Sequence, residues 1–578
     1  MFNLADYIIP RARRVVELGC GDGSVGEKFL RVQPAAEYFG FDTDSDNILS
    51  ASARVTYAAV SSPETVDYKR FGISDGSCDM LIISGEYFRG ITSVRLKKLA
   101  AMLKDDGELL LLLPNSSYMP SVLETLAARG ESERACRRFI APTKEEMKGI
   151  LQEAGFSAAG ISFVQDAEGD KSLRESDEMK NFVSAFVEIC KLNNWNVETN
   201  IWARYWLIRA VRAGAAIRDR MLVHVTVGES VACARVRVNE PNEFIRTERG
   251  IDAISENGKY TQQLDEPFNK VVFIRQRLIF LDYEQGKRII DVLRAKRYLF
   301  IQEMDDNPVL WSEDYNKSTS RYLDFIGAHA IQTSTDSLAD TLREYNPYVK
   351  VFRNELRELP PRRDYDDELN GAPPEAAPVT IFFGALNRSE EWTDIMPVLN
   401  DAIKKYGAMI RFKVISDKKF FSELHTDNKE FIEKDGVYGG QFVPYEDYVD
   451  TIRSSDISLL PLRDTVFNRT KSDLKFIESA GNGAVVIASP TVYADTVRDG
   501  STGFIYHDAR EFEKILCMLI DDRARRIETA KAAYRYVKEE RLLSQHYMER
   551  IEWYREMFSR YDELDKALQK RMEQVEGK

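Results

Sequence analysis

The stretch VVELGCGDGSVGE at residues 15–27 decides the fold of the first part of the chain. Three glycines, Gly19, Gly21 and Gly23, follow an apolar run typical of a buried strand, and a helical pattern begins directly after them. Glycines at this place let the backbone turn sharply and approach a ligand closely, and the start of a helix offers free N–H groups. The sequence therefore predicts a nucleotide-type ligand at this turn.

Two acidic residues belong to the same pattern. Glu17 precedes the glycines, and Asp42, in FGFDTD, ends the next apolar run about 20 residues later, where a carboxylate can accept both hydroxyls of a ribose. We predict that the cofactor-binding residues are Glu17, Gly19, Gly21, Gly23 and Asp42.

These motifs resemble the class I methyltransferases that use S-adenosylmethionine. VELGCGDGS resembles their first motif and GFDTD their second, and CDMLIIS (78–84) and RYWLIRA (204–210) resemble later strands of that fold. The resemblance covers about residues 10–213 and implies S-adenosylmethionine as cofactor. Two alternatives stay open: an NAD-binding Rossmann domain, which prefers G-x-G-x-x-G, and a degenerate domain that binds nothing. The segment TYAAVSS (56–62) lacks the acid that often contacts adenine in this family.

The composition is that of an acidic globular protein with several domains. The chain has 578 residues and a formal charge of -13, which makes it a poor candidate for wrapping nucleic acid. Its six cysteines stand singly, which argues against a disulfide framework and against a structural zinc site. No apolar run approaches the roughly 20 residues that span a bilayer. We predict a soluble, cytoplasmic protein.

Two further blocks of apolar strands alternate with helical stretches. The second block runs from MLVHVTV (221–227) to KVFRNEL (350–356), and the third opens with VTIFFGAL (379–386), after a linker rich in Pro, Asp and Arg. Fully apolar strands between helices are typical of parallel sheets covered on both faces. The predicted fold is α/β with three Rossmann-like parallel-sheet domains and a C-terminal helix. Their predicted bounds are 1–215, 216–375, 376–545 and, for one long amphipathic helix, 546–578.

The third block contains a second candidate nucleotide site, FNRTKSDLKFIESAGNG at 467–483. Lys471 and Lys475 come before a helical Glu478, and a glycine turn follows. Basic side chains near a helix start suit a diphosphate, and a carboxylate further along the helix can accept ribose hydroxyls.

This block resembles the C-terminal domain of GT-B glycosyltransferases, especially the retaining family 4-like group. Glu478 matches the second glutamate of the family's E-x7-E motif, whereas the first falls at Thr470 and is absent. The resemblance implies that Lys471, Asp473 and Lys475 share its roles. FFGALNRSEEW (382–392) resembles the family's glycine-rich loop, and it implies pyrophosphate contacts from Gly384, Asn387 and Arg388.

The second block resembles the acceptor-side domain of the same family, and the resemblance covers about residues 220–545 in all. ARVRVNEP (234–241) implies that Arg237 contacts the acceptor or a phosphate. RYLFIQEMDDNP places Glu303, Asp305 and Asp306 at a strand end that faces the cleft, with capping of the next helix as the alternative. The catalytic candidates are Glu303, Asp305, Arg388, Lys471 and Lys475, and the substrate-binding candidates are Arg237, Gly384, Asn387, Asp473 and Glu478.

The resemblances together imply a bifunctional enzyme. One half would transfer a sugar from a nucleotide-sugar donor to a glycan or glycolipid, and the other would methylate the same or a related product in surface polysaccharide biosynthesis. We expect no metal and no nucleic-acid partner. The alternatives are a methyltransferase-like scaffold without activity, a non-catalytic module that binds sugar nucleotides, and an epimerase of the same fold. The C-terminal helix is predicted to pack back on the enzyme, with a dimer contact or a peripheral membrane contact as alternatives.

Overall fold

The computed structural model describes residues 3–62, 68–126, 142–165, 170–193, 200–215, 220–228, 231–258, 260–261, 265, 267–280, 282–308, 322–360, 377–385, 389–433 and 443–576. The chain divides into two compact units, Met1–Arg218 and Asp219–Lys578. The finer domain bounds given above stay predictions. Among the described residues, no helix combines the length and the hydrophobicity that crossing a bilayer requires.

Seven strands form the sheet of the first unit: β1 (Arg14–Leu18), β2 (Glu37–Asp42), β3 (Tyr57–Val60), β4 (Cys78–Ser84), β5 (Leu103–Pro114), β6 (Phe156–Gln165) and β7 (Ala203–Arg212). Their order is β3-β2-β1-β4-β5-β7-β6, and β7 runs antiparallel to both of its neighbours, β5 and β6. The strand order reverses direction beside β1, so the carboxyl ends of β1 and β4 flank the crevice where open α/β sheets bind ligands.

The helices of this unit cover both faces of the sheet, as the apolar strands predict. Leu81 and Ile83 of β4 pack in one core cluster, whereas Met80 and Ile82 pack in the other. Asp44 starts the second helix by accepting hydrogen bonds from the backbone N–H groups of Asp46 and Asn47. The helices are α1 (Ser24–Val32), α2 (Ser45–Ala51), α3 (Ser93–Leu99), α4 (Met119–Leu126), α5 (Lys144–Glu153), α6 (Lys171–Glu175) and α7 (Asp177–Leu192), with 3-10 turns at Leu4–Tyr7, Tyr68–Phe71, Gly85–Phe88 and Ala100–Met102.

The second unit contains two six-stranded parallel sheets. The second sheet of the molecule consists of β8 (Met221–Val227), β9 (Ile251–Asn257), β10 (Lys270–Gln276), β11 (Leu299–Glu303), β12 (Ala330–Thr333) and β13 (Val349–Val351), in the order β13-β12-β11-β10-β8-β9. Its helices are α8 (Val231–Ala234), α9 (Glu240–Ile245), α10 (Tyr283–Ala295), α11 (Leu323–Ile326) and α12 (Asp336–Arg343), with a π-helical turn at Arg235–Asn239.

The third sheet consists of β14 (Val379–Gly384), β15 (Ile410–Ile415), β16 (Lys429–Ile432), β17 (Ile457–Leu460), β18 (Val485–Ala488) and β19 (Phe504–Ile505), in the order β16-β15-β14-β17-β18-β19. Its helices are α13 (Ser389–Trp392), α14 (Met396–Tyr406), α15 (Lys418–Glu423), α16 (Tyr445–Arg453), α17 (Leu474–Gly481), α18 (Ala509–Asp521) and α19 (Arg523–Glu540), with 3-10 turns at Gly407–Met409 and Asn468–Thr470. The prediction of three parallel-sheet α/β domains is confirmed, with β7 as the antiparallel exception.

The chain then returns from the third sheet to the second. Here two helices, α20 (Leu543–Ser559) and α21 (Tyr561–Glu576), replace the single long helix of the prediction, because the helix is interrupted at Arg560. Leu568 and Met572 of α21 complete a core cluster with Phe273 and Phe300 of the second sheet. The amphipathic stripe thus packs back on the chain itself, which was the leading interpretation of its spacing.

Candidate active sites

The glycine turn of the first unit lies between the ends of β1, β2 and β4. The backbone N–H of Gly19 donates to the carbonyl of Phe41 at 2.7 Å, and Ser84 Oγ donates to the carbonyl of Gly19 at 2.8 Å. A side chain at Gly19, whose φ is +88°, would meet the carbonyl oxygen of Ser84 at 2.5 Å. Gly23 is the residue before α1 and lies against Ala51. Close packing therefore fixes the inner side of this turn.

Gly21 differs from Gly19 because its outer side is open. A Cβ atom added there would have no neighbour within 4 Å among the described residues. Its backbone N–H donates to Asp42 Oδ2 at 2.9 Å, while the N–H of Asp44 donates to Oδ1 at 3.0 Å. Asn47 Nδ2 also donates to Oδ1, at 3.4 Å. A carboxylate can accept about four hydrogen bonds, so Asp42 keeps capacity for about one more. Gly21 and Asp42 are therefore hydrogen-bonded to each other, and no described atom lies close to the outer side of Gly21.

Glu17 lies behind this turn, in the interior. Its side chain is 1% exposed and accepts a hydrogen bond from the Tyr38 hydroxyl at 2.7 Å. Burial raises the pKa of Glu17 to about 7, since the charged carboxylate loses its hydration, and the Tyr38 hydrogen bond offsets part of that effect. The direct cofactor contact predicted for Glu17 is not available in this placement. The residue supports the turn from within.

In the second unit, the loop ahead of α17 meets the strand ends of the second sheet. Thr335, after β12, donates through its hydroxyl to the carbonyl of Thr470 at 2.9 Å. Lys471 Nζ lies 3.1 Å from Asp306 Oδ1. The carboxyl end of the second sheet and the loop ahead of α17 are therefore in direct contact.

Three of the predicted residues, Gly384, Lys475 and Glu478, cluster with Tyr448 between α17 and the end of β14. Lys475 Nζ donates to the carbonyl of Gly384 at 2.7 Å, at the end of β14. Glu478 accepts a hydrogen bond from the Tyr448 hydroxyl at 2.9 Å. Burial raises the pKa of Glu478, and the positive charge of Lys475 opposes that shift. The cluster joins a cation, a buried carboxylate and a backbone carbonyl at the end of a strand.

Tyr445 and Tyr448 were not among the site residues predicted from the sequence. They lie three residues apart at the start of α16 and therefore on the same face of that helix. The ring centroids of the two tyrosines are 6.0 Å apart, and burial together with the Glu478 carboxylate raises the pKa of Tyr448. The guanidinium of Arg235, from the second sheet's side, lies 3.5 Å from the centroid of the Tyr445 ring. The sequence feature that could have indicated them is a pair of tyrosines three residues apart directly after Pro444.

Four predicted site residues, Arg237, Glu303, Asp305 and Asp473, are held in ion pairs within the protein, so Glu303, which is fully buried, does not face a substrate. Arg237 is 2% exposed and pairs with Glu303 at 2.7 Å, while its other N–H groups donate to Thr333, Phe352 and Asn354. Its five donors are thereby used, and the exposed acceptor contact predicted for Arg237 does not exist in this structure.

Asp473 is likewise engaged, by both Nη atoms of Arg541, so it is a structural residue at the start of α17 and not a free ligand to substrate. Asp305 pairs with Arg277 at 3.0 Å, and burial raises the pKa of Asp305. Of the three acids at the end of β11 and after it, Asp306 is the one that pairs with Lys471, and it also pairs with Arg277. Asn387 and Arg388 lie outside the described residues.

Family models match both the N-terminal and the C-terminal part of the chain, in agreement with the two predicted resemblances. Residues 3–159 match the family model described as a methyltransferase domain, and residues 398–553 match the model described as glycosyl transferase-like. No curated protein matches the chain.

Among solved structures, Anabaena HepE (Alr3699) in complex with UDP shares 11% identity over 58% of this chain and 98% of its own, with a TM-score of 0.40. A SAM-dependent methyltransferase from Archaeoglobus fulgidus shares 21% identity over 35% of this chain and 87% of its own, with a TM-score of 0.25. The plantazolicin methyltransferase BamL shares 16% identity over 36% of this chain and 82% of its own, with a TM-score of 0.25.

Proposed function

We propose that this chain, in which a methyltransferase domain precedes a glycosyltransferase domain, transfers a sugar from a nucleotide donor to a glycan and methylates the same or a related glycan. The observation that carries the sugar-transfer half is the cluster of Lys475, Glu478, Tyr448 and Gly384 at the carboxyl end of β14. It combines a phosphate-binding cation with a buried carboxylate able to accept ribose hydroxyls, at the strand end where α/β domains bind nucleotides.

The chemistry of sugar transfer asks the protein to stabilise negative charge on the departing diphosphate. Lys471 and Lys475 are the described cations placed for this role, and we propose Arg388 as a third. Glu478 would accept the ribose hydroxyls, with Tyr448 holding one of its oxygens in place. We propose transfer with retention, in which the acceptor attacks from the face that the diphosphate leaves. The cleft between the second and third sheets would exclude water.

The open side of the first glycine turn fits S-adenosylmethionine. Gly21 offers a backbone surface that a ligand can approach, and Asp42 can accept one further hydrogen bond, from a ribose hydroxyl. The bound cofactor supplies an electrophilic methyl group. The chain's own part is to hold the cofactor through Gly19, Gly21, Gly23 and Asp42 and to place an acceptor oxygen beside it, because proximity accounts for much of such a reaction. The fusion of the two domains supports a shared glycan, and we propose cytoplasmic assembly of a surface polysaccharide as the setting.

Release of nucleoside diphosphate from a panel of sugar nucleotides tests the glycosyltransferase half. HepE is described in complex with UDP-glucose, so UDP sugars head the panel. The double variant Lys475→Ala/Glu478→Ala should abolish release. The matched control is Lys418→Ala/Glu433→Ala, which removes the same residue types from an exposed pair 2.9 Å apart. Full activity in the first double variant would refute the proposed donor site.

Calorimetric titration with S-adenosylhomocysteine tests the methyltransferase half. Asp42→Ala should abolish binding, while Asp46→Ala, on the exposed first turn of α2, should leave it unchanged. Absence of binding by the native chain would favour the alternative of a scaffold domain without activity.

A further inference from the structure

The strand β6 forms one edge of the first sheet, and β7 is its one neighbour among the described strands. Its ten residues, FSAAGISFVQ, include neither a charged residue nor a proline. Every residue from 157 to 163 is exposed, including Ile161 at 37% and Phe163 at 47%. The outer side of this strand is therefore open to a further strand.

The other sheet edges of the molecule are protected in ways that β6 is not. Natural edge strands are commonly very short or carry charged side chains, because an unprotected edge pairs with other chains. β3 has four residues and β19 has two. The three other edge strands are charged, with Asp252 and Glu256 in β9, Lys350 in β13, and Lys429 and Glu430 in β16. Among the six edges of the described sheets, β6 alone is both long and uncharged.

Two irregularities define the part of β6 that can pair regularly. The register with β7 shifts between Ala158 and Gly160 and again between Val164 and Gln165. Such bulges bend an edge strand and interrupt its pairing. The regular stretch is therefore Gly160–Val164, and its central residue is Ser162.

We propose that β6 pairs with β6 of a second copy of this chain, antiparallel and about a two-fold axis at Ser162. In such a pair the central residue lies opposite its own copy, and Ile161 lies opposite Phe163 of the second copy on the same face of the sheet. A charged residue at the centre would face a like charge, which destabilises a strand pair. β6 has no charge, so it is complementary to itself, and two exposed apolar side chains of each copy become cross-strand neighbours.

The dimer would join the two first sheets into one sheet of fourteen strands, seven from each copy. Because β6 runs parallel to β1 within one copy, the carboxyl ends of the two β1 strands point in opposite directions in the dimer. Both glycine turns therefore stay accessible. Pairing of one strand buries less area than a standard interface, so we expect a dissociation constant in the micromolar range.

Sedimentation velocity of the full chain at a series of concentrations tests this interface. The native chain should show a reversible equilibrium between monomer and dimer. Ser162→Lys places two like charges opposite each other and should weaken the dimer by at least about tenfold. Ser74→Lys makes the same change at an exposed serine outside the strand and should leave the dimer unchanged. A dimer that Ser162→Lys does not weaken would lie on another surface and would overturn the proposal.

Oxidative cross-linking of Ser162→Cys gives a second measurement, which identifies the register. Opposite residues in an antiparallel pair have Cα atoms roughly 4.5–5.5 Å apart, which is within the reach of a disulfide. Ser162→Cys should therefore form a covalent dimer under mild oxidation, and Ser74→Cys should not. A chain that sediments as a monomer at every concentration, without a covalent dimer of Ser162→Cys, would show that β6 does not pair with its own copy.

Discussion

Gly19 and Gly21, the first two glycines of the glycine turn in the first unit, should respond differently to the same substitution. Both Gly19→Ala and Gly21→Ala place a side chain at a positive φ, +88° and +54°, which costs an alanine about 1–2 kcal/mol. At Gly19 the new methyl group also lies 2.5 Å from the Ser84 carbonyl oxygen, and such overpacking adds about 1–3 kcal/mol. At Gly21 the methyl group meets no described atom within 4 Å.

The expected losses are therefore about 2–5 kcal/mol for Gly19→Ala and about 1–2 kcal/mol for Gly21→Ala. For a unit of this size they correspond to a fall in melting temperature of roughly 4–20 °C and roughly 2–8 °C. Differential scanning calorimetry of the full chain, with the first unit's transition identified from its variants, measures both. Because the open side of Gly21 is the proposed cofactor surface, Gly21→Ala should stay folded at 20 °C and yet bind S-adenosylhomocysteine at least about tenfold more weakly.

Two results would refute this reasoning. If Gly21→Ala lowers the melting temperature as much as Gly19→Ala does, the outer side of the turn is packed by protein. If Gly21→Ala binds S-adenosylhomocysteine as tightly as the native chain, the cofactor does not lie against this backbone.

Three further predictions concern charged groups. Because the pKa of Glu17 is raised from 4.5 to about 7, the folded state keeps a proton that the unfolded state loses, so stability falls as the pH rises from about 4.5 to about 7. Glu17→Gln should remove this fall of about 3 kcal/mol, measured by urea unfolding at pH 5 and pH 8. Arg541→Leu leaves the buried Asp473 carboxylate unpaired and should cost about 3–5 kcal/mol, whereas Arg541→Leu/Asp473→Leu should recover much of that loss in the same urea assay. Asp306→Asn removes a carboxylate that competes with diphosphate for Lys471, so calorimetry should show nucleoside diphosphate binding about threefold more tightly; weaker binding would mean that Asp306 positions Lys471.

The sequence predicts those parts of the fold in which the signal is local. Apolar runs such as CDMLIIS predict strands that are buried on both faces. The glycines at 19, 21 and 23 predict a sharp turn, and all three have a positive φ. Edge strands carry a weaker signal. β6, most of whose residues are exposed, and β16 and β19, which are short, were not predicted because they lack a continuous apolar run.

The candidate sites were predictable to a smaller extent, because partners distant in sequence decide whether a charged side chain faces solvent. Arg237 and Asp473 fit a ligand-binding pattern in the sequence. Arg237 pairs with Glu303, 66 residues away, and Asp473 pairs with Arg541, 68 residues away. These ion pairs occupy both side chains, so neither is free to bind a ligand. Lys475 and Glu478 are close together because one helix carries both, and this spacing is visible in the sequence.

The position of α21 in the second sheet's core has a consequence for biosynthesis. Phe273 and Phe300 are synthesised early. Their packing partners Leu568 and Met572 are synthesised only after the whole third sheet. The same holds for Asp565, which pairs with Arg294 at 2.6 Å. Until then, the nascent polypeptide exposes apolar surface that chaperones recognise. Ribosome-bound chains stalled before residue 560 should therefore be more sensitive to protease in the second sheet than chains stalled with α21 outside the exit tunnel.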